Sequence, residues 1–165
     1  MPTARYRAAA VNVSHHVYLF GGRAPNGSLV CTVDRYDAIE RVWETLDIVQ
    51  EDYCYSDHSG IATEDGTVYL FGGYSEDYQS HTTVVKVEIA GDELTFSTST
   101  PMEIKRGDHV CSIMPSSSHV YCMGGFTEEN WEYSVLNSVE RFDIASETWE
   151  ERAPMVFPRA DFGVG

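Results

Sequence analysis

Apolar residues along this chain fall in short runs separated by polar turns, and nowhere do they take helical spacing. Runs of this kind, rich in Val, Tyr, Leu and Phe, predict strands following one another at close intervals. One run recurs. Val17-Tyr18-Leu19-Phe20-Gly21-Gly22 returns as Val68-Tyr69-Leu70-Phe71-Gly72-Gly73 and again as Val120-Tyr121-Cys122-Met123-Gly124-Gly125, at offsets of 51 and 52 residues. Trp43, Phe96 and Trp149 keep the same phase in steps of 53, as do Pro101-Met102 and Pro154-Met155. Val33-Asp34-Arg35-Tyr36-Asp37 matches Val139-Glu140-Arg141-Phe142-Asp143, with a Trp seven residues beyond each aromatic; the middle copy has Val87 there and a short insertion near Gly91-Asp92.

Each unit predicts four strands. An inner strand of small residues (Ala8 to Val13, Ser59 to Thr63, Val110 to Met114) leads into a tight turn, for which Asp65-Gly66 is a hairpin signal. The second strand is the apolar run, whose lack of alternation predicts burial on both faces. The glycine pairs Gly21-Gly22, Gly72-Gly73 and Gly124-Gly125 then let the backbone bend where a Cβ would clash. A third strand carries Leu29 to Asp37, Val84 to Ile89 or Leu136 to Ile144, and the fourth carries the Trp or Phe. Tyr36, Trp43, Phe96, Phe142 and Trp149 are the expected packing aromatics.

A period near 50 with Gly-Gly, then an aromatic, then a Trp resembles the kelch repeat, and residues 136–155 look very like the repeats of the kelch-like family. The resemblance covers essentially the whole chain. It implies an all-β, kelch-type β-propeller: three four-stranded blades in units of about 3–48, 49–100 and 101–153, plus the inner strand of a fourth in 154–165. Closed propellers have about 4 to 8 blades, so residues 1–165 are expected to form a partial propeller. Either further blades lie in a longer chain or a half-ring closes by homodimerisation.

Charge narrows the partners. The 165 residues include 26 Asp or Glu against 11 Lys or Arg, a net charge of −15, which repels phosphate backbones and argues against nucleic acid. Hydrophobic content of 42% predicts a folded chain, and no apolar run reaches the roughly 20 residues of a membrane span. Residues 1–7 lack the apolar stretch of a secretory signal. Cys31, Cys54, Cys111 and Cys122 show no C-x-x-C spacing, so buried structural thiols and a cytoplasmic location are expected. On that ground the formal glycosylation sequons Asn12-Val13-Ser14 and Asn26-Gly27-Ser28 are discounted.

Successive antiparallel strands reverse direction, so the loops after strands two and four of each unit share one face. Those loops interleave aromatics with carboxylates: Tyr53 and Tyr55, Tyr74 and Tyr78, Trp131 and Tyr133. This composition suits a protein or peptide partner of basic or mixed charge. Arg5, Arg106 and Arg159 hold equivalent places before the inner strand. In kelch-like propellers that capture an acidic degron, arginines near this rim hold carboxylates, so the resemblance makes all three candidates for partner contact. Inter-blade bonds to carbonyls are the competing role. His58 and His109 are repeat equivalents, as are His16 and His119, which points to scaffold roles; His15 and His81 have no partners at ligand spacing. No catalytic array, cofactor motif or metal-ligand set is expected. The resemblance therefore implies a non-catalytic protein-interaction module, either target recognition for a cullin-type ubiquitin ligase adaptor or part of an actin-associated kelch protein. A fragment of a kelch-propeller enzyme, such as a sugar epimerase or oxidase, is the alternative class.

Overall fold

A computed structural model describes residues 1–46, 53–130 and 132–163. All regular structure among them is β. Blade 1 runs in the order β1 (Ala9–Val13), β2 (His16–Phe20), β3 (Val33–Asp37) and β4 (Val42–Leu46). Blade 2 repeats it with β5 (Ser59–Ala62), β6 (Val68–Phe71), β7 (Val84–Ala90) and β8 (Glu93–Thr98). Blade 3 comprises β9 (Val110–Ile113), β10 (His119–Met123), β13 (Val139–Asp143) and β14 (Thr148–Arg152), each strand antiparallel to its neighbour. Between β10 and β13 the chain makes a separate two-stranded hairpin, β11 (Phe126–Glu129) and β12 (Glu132–Val135).

The uninterrupted apolar runs follow from blades packing face to face. All four residues of β6 are buried. Val68 and Leu70 join Val11, Phe20 and Val33 of blade 1 in one core, whereas Tyr69 and Phe71 join Val120, Cys122 and Phe142 of blade 3 in another. Alternate side chains of a single strand thus fill two interfaces. Tyr36 lies against Trp43 at 5.0 Å between ring centroids, and Phe142 against Trp149 at 5.0 Å, across β3–β4 and β13–β14 respectively. Phe96 occupies the equivalent register opposite Val87.

The glycine doublets are needed for a specific approach. Gly72 and Gly73 have φ of 58° and 98°. A Cβ on Gly73 would stand 2.5 Å from the Ser56 carbonyl oxygen, so only glycine fits. The Gly73 N–H donates to the Arg106 carbonyl of the following unit at 2.8 Å, and Gly22 donates to Tyr55 and Gly125 to Arg159 in the same way. Among the described residues, 154–163 pair with no further strand, as the start of a blade does without its neighbour. The segment still docks on blade 3 through Met155 N–H to Asn137 and Arg159 N–H to Leu136.

The cysteine expectation is corrected. All four cysteines are paired, Cys31 with Cys54 and Cys111 with Cys122. Cys111 and Cys122 face one another in the β9–β10 register, and Cys31–Cys54 ties the blade 1 loop to the linker entering blade 2. Neither pairing is visible as a sequence motif, because topology rather than spacing brings the partners together.

Candidate functional site

Around the propeller axis one backbone position per unit bends into the left-handed region: Arg7, Asp57, Asp108 and Asp161, with φ between 52° and 60°. Their amides form a relay, Asp57 N–H to Arg7 carbonyl at 2.9 Å, Asp108 N–H to Asp57 at 3.0 Å and Asp161 N–H to Asp108 at 3.0 Å. Side chains at this bend gather near the axis. Arg7 Nε pairs with Asp57 Oδ1 at 3.3 Å, and the Asp57 carboxylate is nearly covered. Burial and the neighbouring Asp57 carboxylate push the Asp108 carboxyl up to about 6. Burial alone would lower the Arg7 guanidinium, but Asp57 and Asp108 outweigh it and hold the group above its ordinary value.

Beside this relay opens a cleft of about 300 Å³ lined by Arg7, Tyr74, Tyr78, Asp108, Phe126 and Tyr133. Tyr74 is the buried floor, its ring over Gly107, where a Cβ would collide with it. Tyr78 and Tyr133 form exposed walls, 38% and 49% accessible. The Tyr133 hydroxyl donates to the Tyr78 carbonyl at 2.9 Å, and its ring meets Tyr74 and Phe126 edge-on at 6.1 and 6.5 Å. Burial raises the Tyr74 hydroxyl well above the ordinary phenol range, with the Asp108 carboxylate adding to it; burial and then Glu128 do the same to Tyr133 more mildly. Arg23 lies 3.7 Å from the Tyr78 ring centroid and is fixed in turn by Ser56 Oγ and the Ser75 carbonyl at 3.0 and 2.6 Å. A stacked guanidinium of this kind holds an aromatic ring in place before any partner arrives.

Three of the expected contact residues, Tyr74, Tyr78 and Tyr133, therefore converge. Others do not. Tyr53 is half-buried against the first core with its ring 6.0 Å from Phe96. Trp131 lies outside the described residues. The expectation that Arg5 and Arg106 contact a partner is corrected, because both side chains are buried. Arg106 donates to the Gly124 carbonyl at 2.7 Å, to Ser138 Oγ at 3.0 Å and to the Glu140 carboxylate at 2.6 Å. Arg5 does the same to Gly21, Thr32 Oγ1 and Asp34. Tyr55 occupies the equivalent place in blade 2, where Val85 stands for the acid; its hydroxyl approaches Thr83 Oγ1 at 3.5 Å. It too belongs to the scaffold. Arg159 is exposed.

Sequence reasoning missed Arg7, Asp108, Phe126 and Arg23. The repeat phase of Arg7, Asp57, Asp108 and Asp161 was a signal available for the first two.

Four of the six histidines, His16, His58, His109 and His119, fall into repeat-equivalent places. Burial lowers His58 to about 4, and burial followed by Arg106 holds His109 well below its ordinary value. His109 lies with Cys111 and Cys122 close enough to share an ion, but the two sulfurs are bonded to each other. His15, His16 and Asp37 form a second such group at the β1–β2 turn. No ion is needed to explain it, since His119 and Asp143 repeat the His16–Asp37 contact in blade 3 at 3.1 Å.

The Attractin/LZTR1 beta-propeller pattern matches residues 1–161. The chain belongs to that family. Kelch repeat and BTB domain-containing protein 1 of cowpox virus (strain Brighton Red) is 21% identical over 150 residues, which is 91% of this chain and 25% of the relative. Kelch-like protein 38 of Mus musculus is 25% identical over 134 residues, 81% of this chain and 22% of the relative. The chain thus spans about a quarter of the length of these curated relatives. Kelch-type organisation, expected from the glycine doublets, is what these propeller relatives share with it.

Proposed function

We propose that the chain is a non-catalytic recognition surface for a protein or peptide, and that the tyrosine cleft between blades 2 and 3 is where the partner binds. The observation carrying this reading is the convergence of Tyr78, Tyr133 and Phe126 over Arg7 and Asp108 on one face. Aromatic walls held by the Arg23 stack and by the Tyr133 hydroxyl on the Tyr78 carbonyl lose little entropy on binding, as an interface hot spot requires. Both charge signs at the cleft floor, on a chain of net charge −15, suit a peptide that presents a basic group beside an apolar side chain. The kelch and BTB names of the relatives favour a place in a larger multidomain adaptor. Target recognition for a cullin-type ubiquitin ligase is the finest form of that reading, and an actin-associated role stands beside it. The enzyme reading finds less support, because the cleft lining offers aromatic rings, Arg7 and Asp108 and, among the described residues, no nucleophile paired with a base.

The test is selection of a displayed random-peptide library on the wild-type chain and on a Tyr78→Ala/Tyr133→Ala double variant. Recovery of related sequences by the wild type alone, with both proteins melting at the same temperature, is the expected result. Equal recovery by both would refute the site.

A further inference from the structure

All four cysteines of the chain are oxidised in pairs, and three of them, Cys54, Cys111 and Cys122, are buried. Disulfides persist in oxidising compartments, whereas cytosolic thiol pools keep such pairs reduced. The cytoplasmic expectation rested on residues 1–7 and on unpaired thiols, and the second of these supports is lost here. That reopens the two discounted sequons, and the structure separates them. Asn12 lies within β1 opposite Val17, on the side of the strand turned away from Val11 and blade 2, where a ring seats a further blade. Asn26 is exposed in the loop between β2 and β3. There the turn is closed by Gly27 N–H to the Ala24 carbonyl at 2.8 Å and Ala24 N–H to the Ser28 carbonyl at 2.9 Å. Ser28 gives both its Oγ–H and its N–H to Asn26 Oδ1, at 2.8 and 3.2 Å. This is the Asx arrangement in which the sequon hydroxyl engages the amide it activates. Nothing lies within 4 Å of a Cβ built on Gly27, so space for a bulky substituent is open beside it.

We propose that Asn26 is an N-glycosylation site and that the chain matures in an oxidising secretory compartment, where Cys31–Cys54 and Cys111–Cys122 form. In the transfer, the Asn26 amide nitrogen bonds to the anomeric carbon of a lipid-linked oligosaccharide. The bond from that carbon to the lipid pyrophosphate breaks, the lipid pyrophosphate departs and the amide gives up one proton. Each cysteine pair forms by exchange with a disulfide carrier: two thiols lose two protons and two electrons, and the carrier disulfide is reduced to two thiols. The inference is independent of the tyrosine cleft, since neither the cysteines nor Asn26 line it. It also places the partner of this face outside the cytosol, which weighs against the ubiquitin-ligase form of the functional reading.

The experiment uses the endogenous full-length protein captured from its source cells. It is alkylated with and without prior reduction, and its peptides are mapped before and after peptide N-glycosidase. The expected result is labelling of the four cysteines only after reduction, and an Asn26 peptide that appears only after the glycosidase, with asparagine converted to aspartate. Ser28→Ala, which keeps Asn26 but removes the activating hydroxyl, should abolish the modification while the cysteines stay paired. Alkylation of the four cysteines without reduction overturns the inference. So does recovery of the Asn26 peptide solely in unmodified form.

Discussion

The buried pair Arg106–Glu140 offers the sharpest test of how the blades are held. Both side chains are essentially inaccessible and meet at 2.6 Å, and burial depresses the Arg106 guanidinium even though Glu140 counteracts it. Glu140→Val leaves a buried cation with two carbonyls and a hydroxyl but no counter-charge, a loss of about 3–5 kcal/mol. At about 2–4 °C per kcal/mol for a domain of this size, the melting point should fall by roughly 6–20 °C. Blade 2 shows how the pair can be absent: Tyr55 and Val85 occupy the two positions together. Arg106→Tyr/Glu140→Val copies that solution. It removes the unpaired charge but strips the Glu103 and Ile104 amides of their acceptor, Glu140 Oε1, at about 1 kcal/mol each. The double variant should therefore lie about 2 kcal/mol below wild type and above either single variant. Urea denaturation of the four proteins, followed by tryptophan fluorescence, measures the cycle. A double variant costing the sum of the two singles would refute the reasoning, because it would mean the charges never depended on each other.

Trp149 lies between Phe71 and Phe142 and donates its Nε1–H to the Thr100 carbonyl at 2.9 Å; being half-buried, Trp149→Ala should cost about 3 kcal/mol in the same denaturation assay. Reduction should lower stability by about 3 kcal/mol for each bridge, since the two loops span 23 and 11 residues, read as a shift in urea midpoint with and without reductant. Asp108 binds its proton more tightly folded than unfolded, so its contribution is full below the ordinary carboxylate range and is lost as pH rises from about 4 to about 6. Asp108→Asn should flatten that part of the stability profile, and an unchanged slope would contradict the carboxyl pair. Gly73→Ala should destabilise more than a typical surface change, because its Cβ would meet the Ser56 carbonyl at 2.5 Å; circular dichroism melts decide it.

The blades were legible because their marks repeat. Glycine doublets, the aromatic of the third strand and the indole of the fourth recur in phase, and each packs where that phase requires. What stayed hidden is what departs from the repeat or depends on closure in space. Phe126 to Val135 lengthens a turn that the other two units close with a single bridge, Arg23 to Leu29 and Tyr74 to Ser80, so nothing in the repeat marks β11 and β12 as strands. Arg7 and Asp108 become neighbours only because each sits at the same bend about the axis. Arg5 and Arg106 were seen to recur, but recurrence does not distinguish a rim cation from a buried clamp. The acids opposite them in β3 and β13, Asp34 and Glu140, are absent together with the arginine in blade 2. That covariation within one chain was the available clue. The cysteines misled for a related reason, since Cys111 and Cys122 are eleven residues apart in sequence but opposite one another in the sheet.

The β11–β12 hairpin forms its own small sheet, and β10 passes to β13 in unbroken register beneath it, Val120 opposite Phe142. Length and composition toward its outer strand can drift without disturbing the ring, as a tool bit changes while the handle keeps its shape. A lineage could retarget this propeller by rewriting the exposed strand β12, while Phe126 and Glu128 keep the base of the hairpin tied to Gly107 and Ser80.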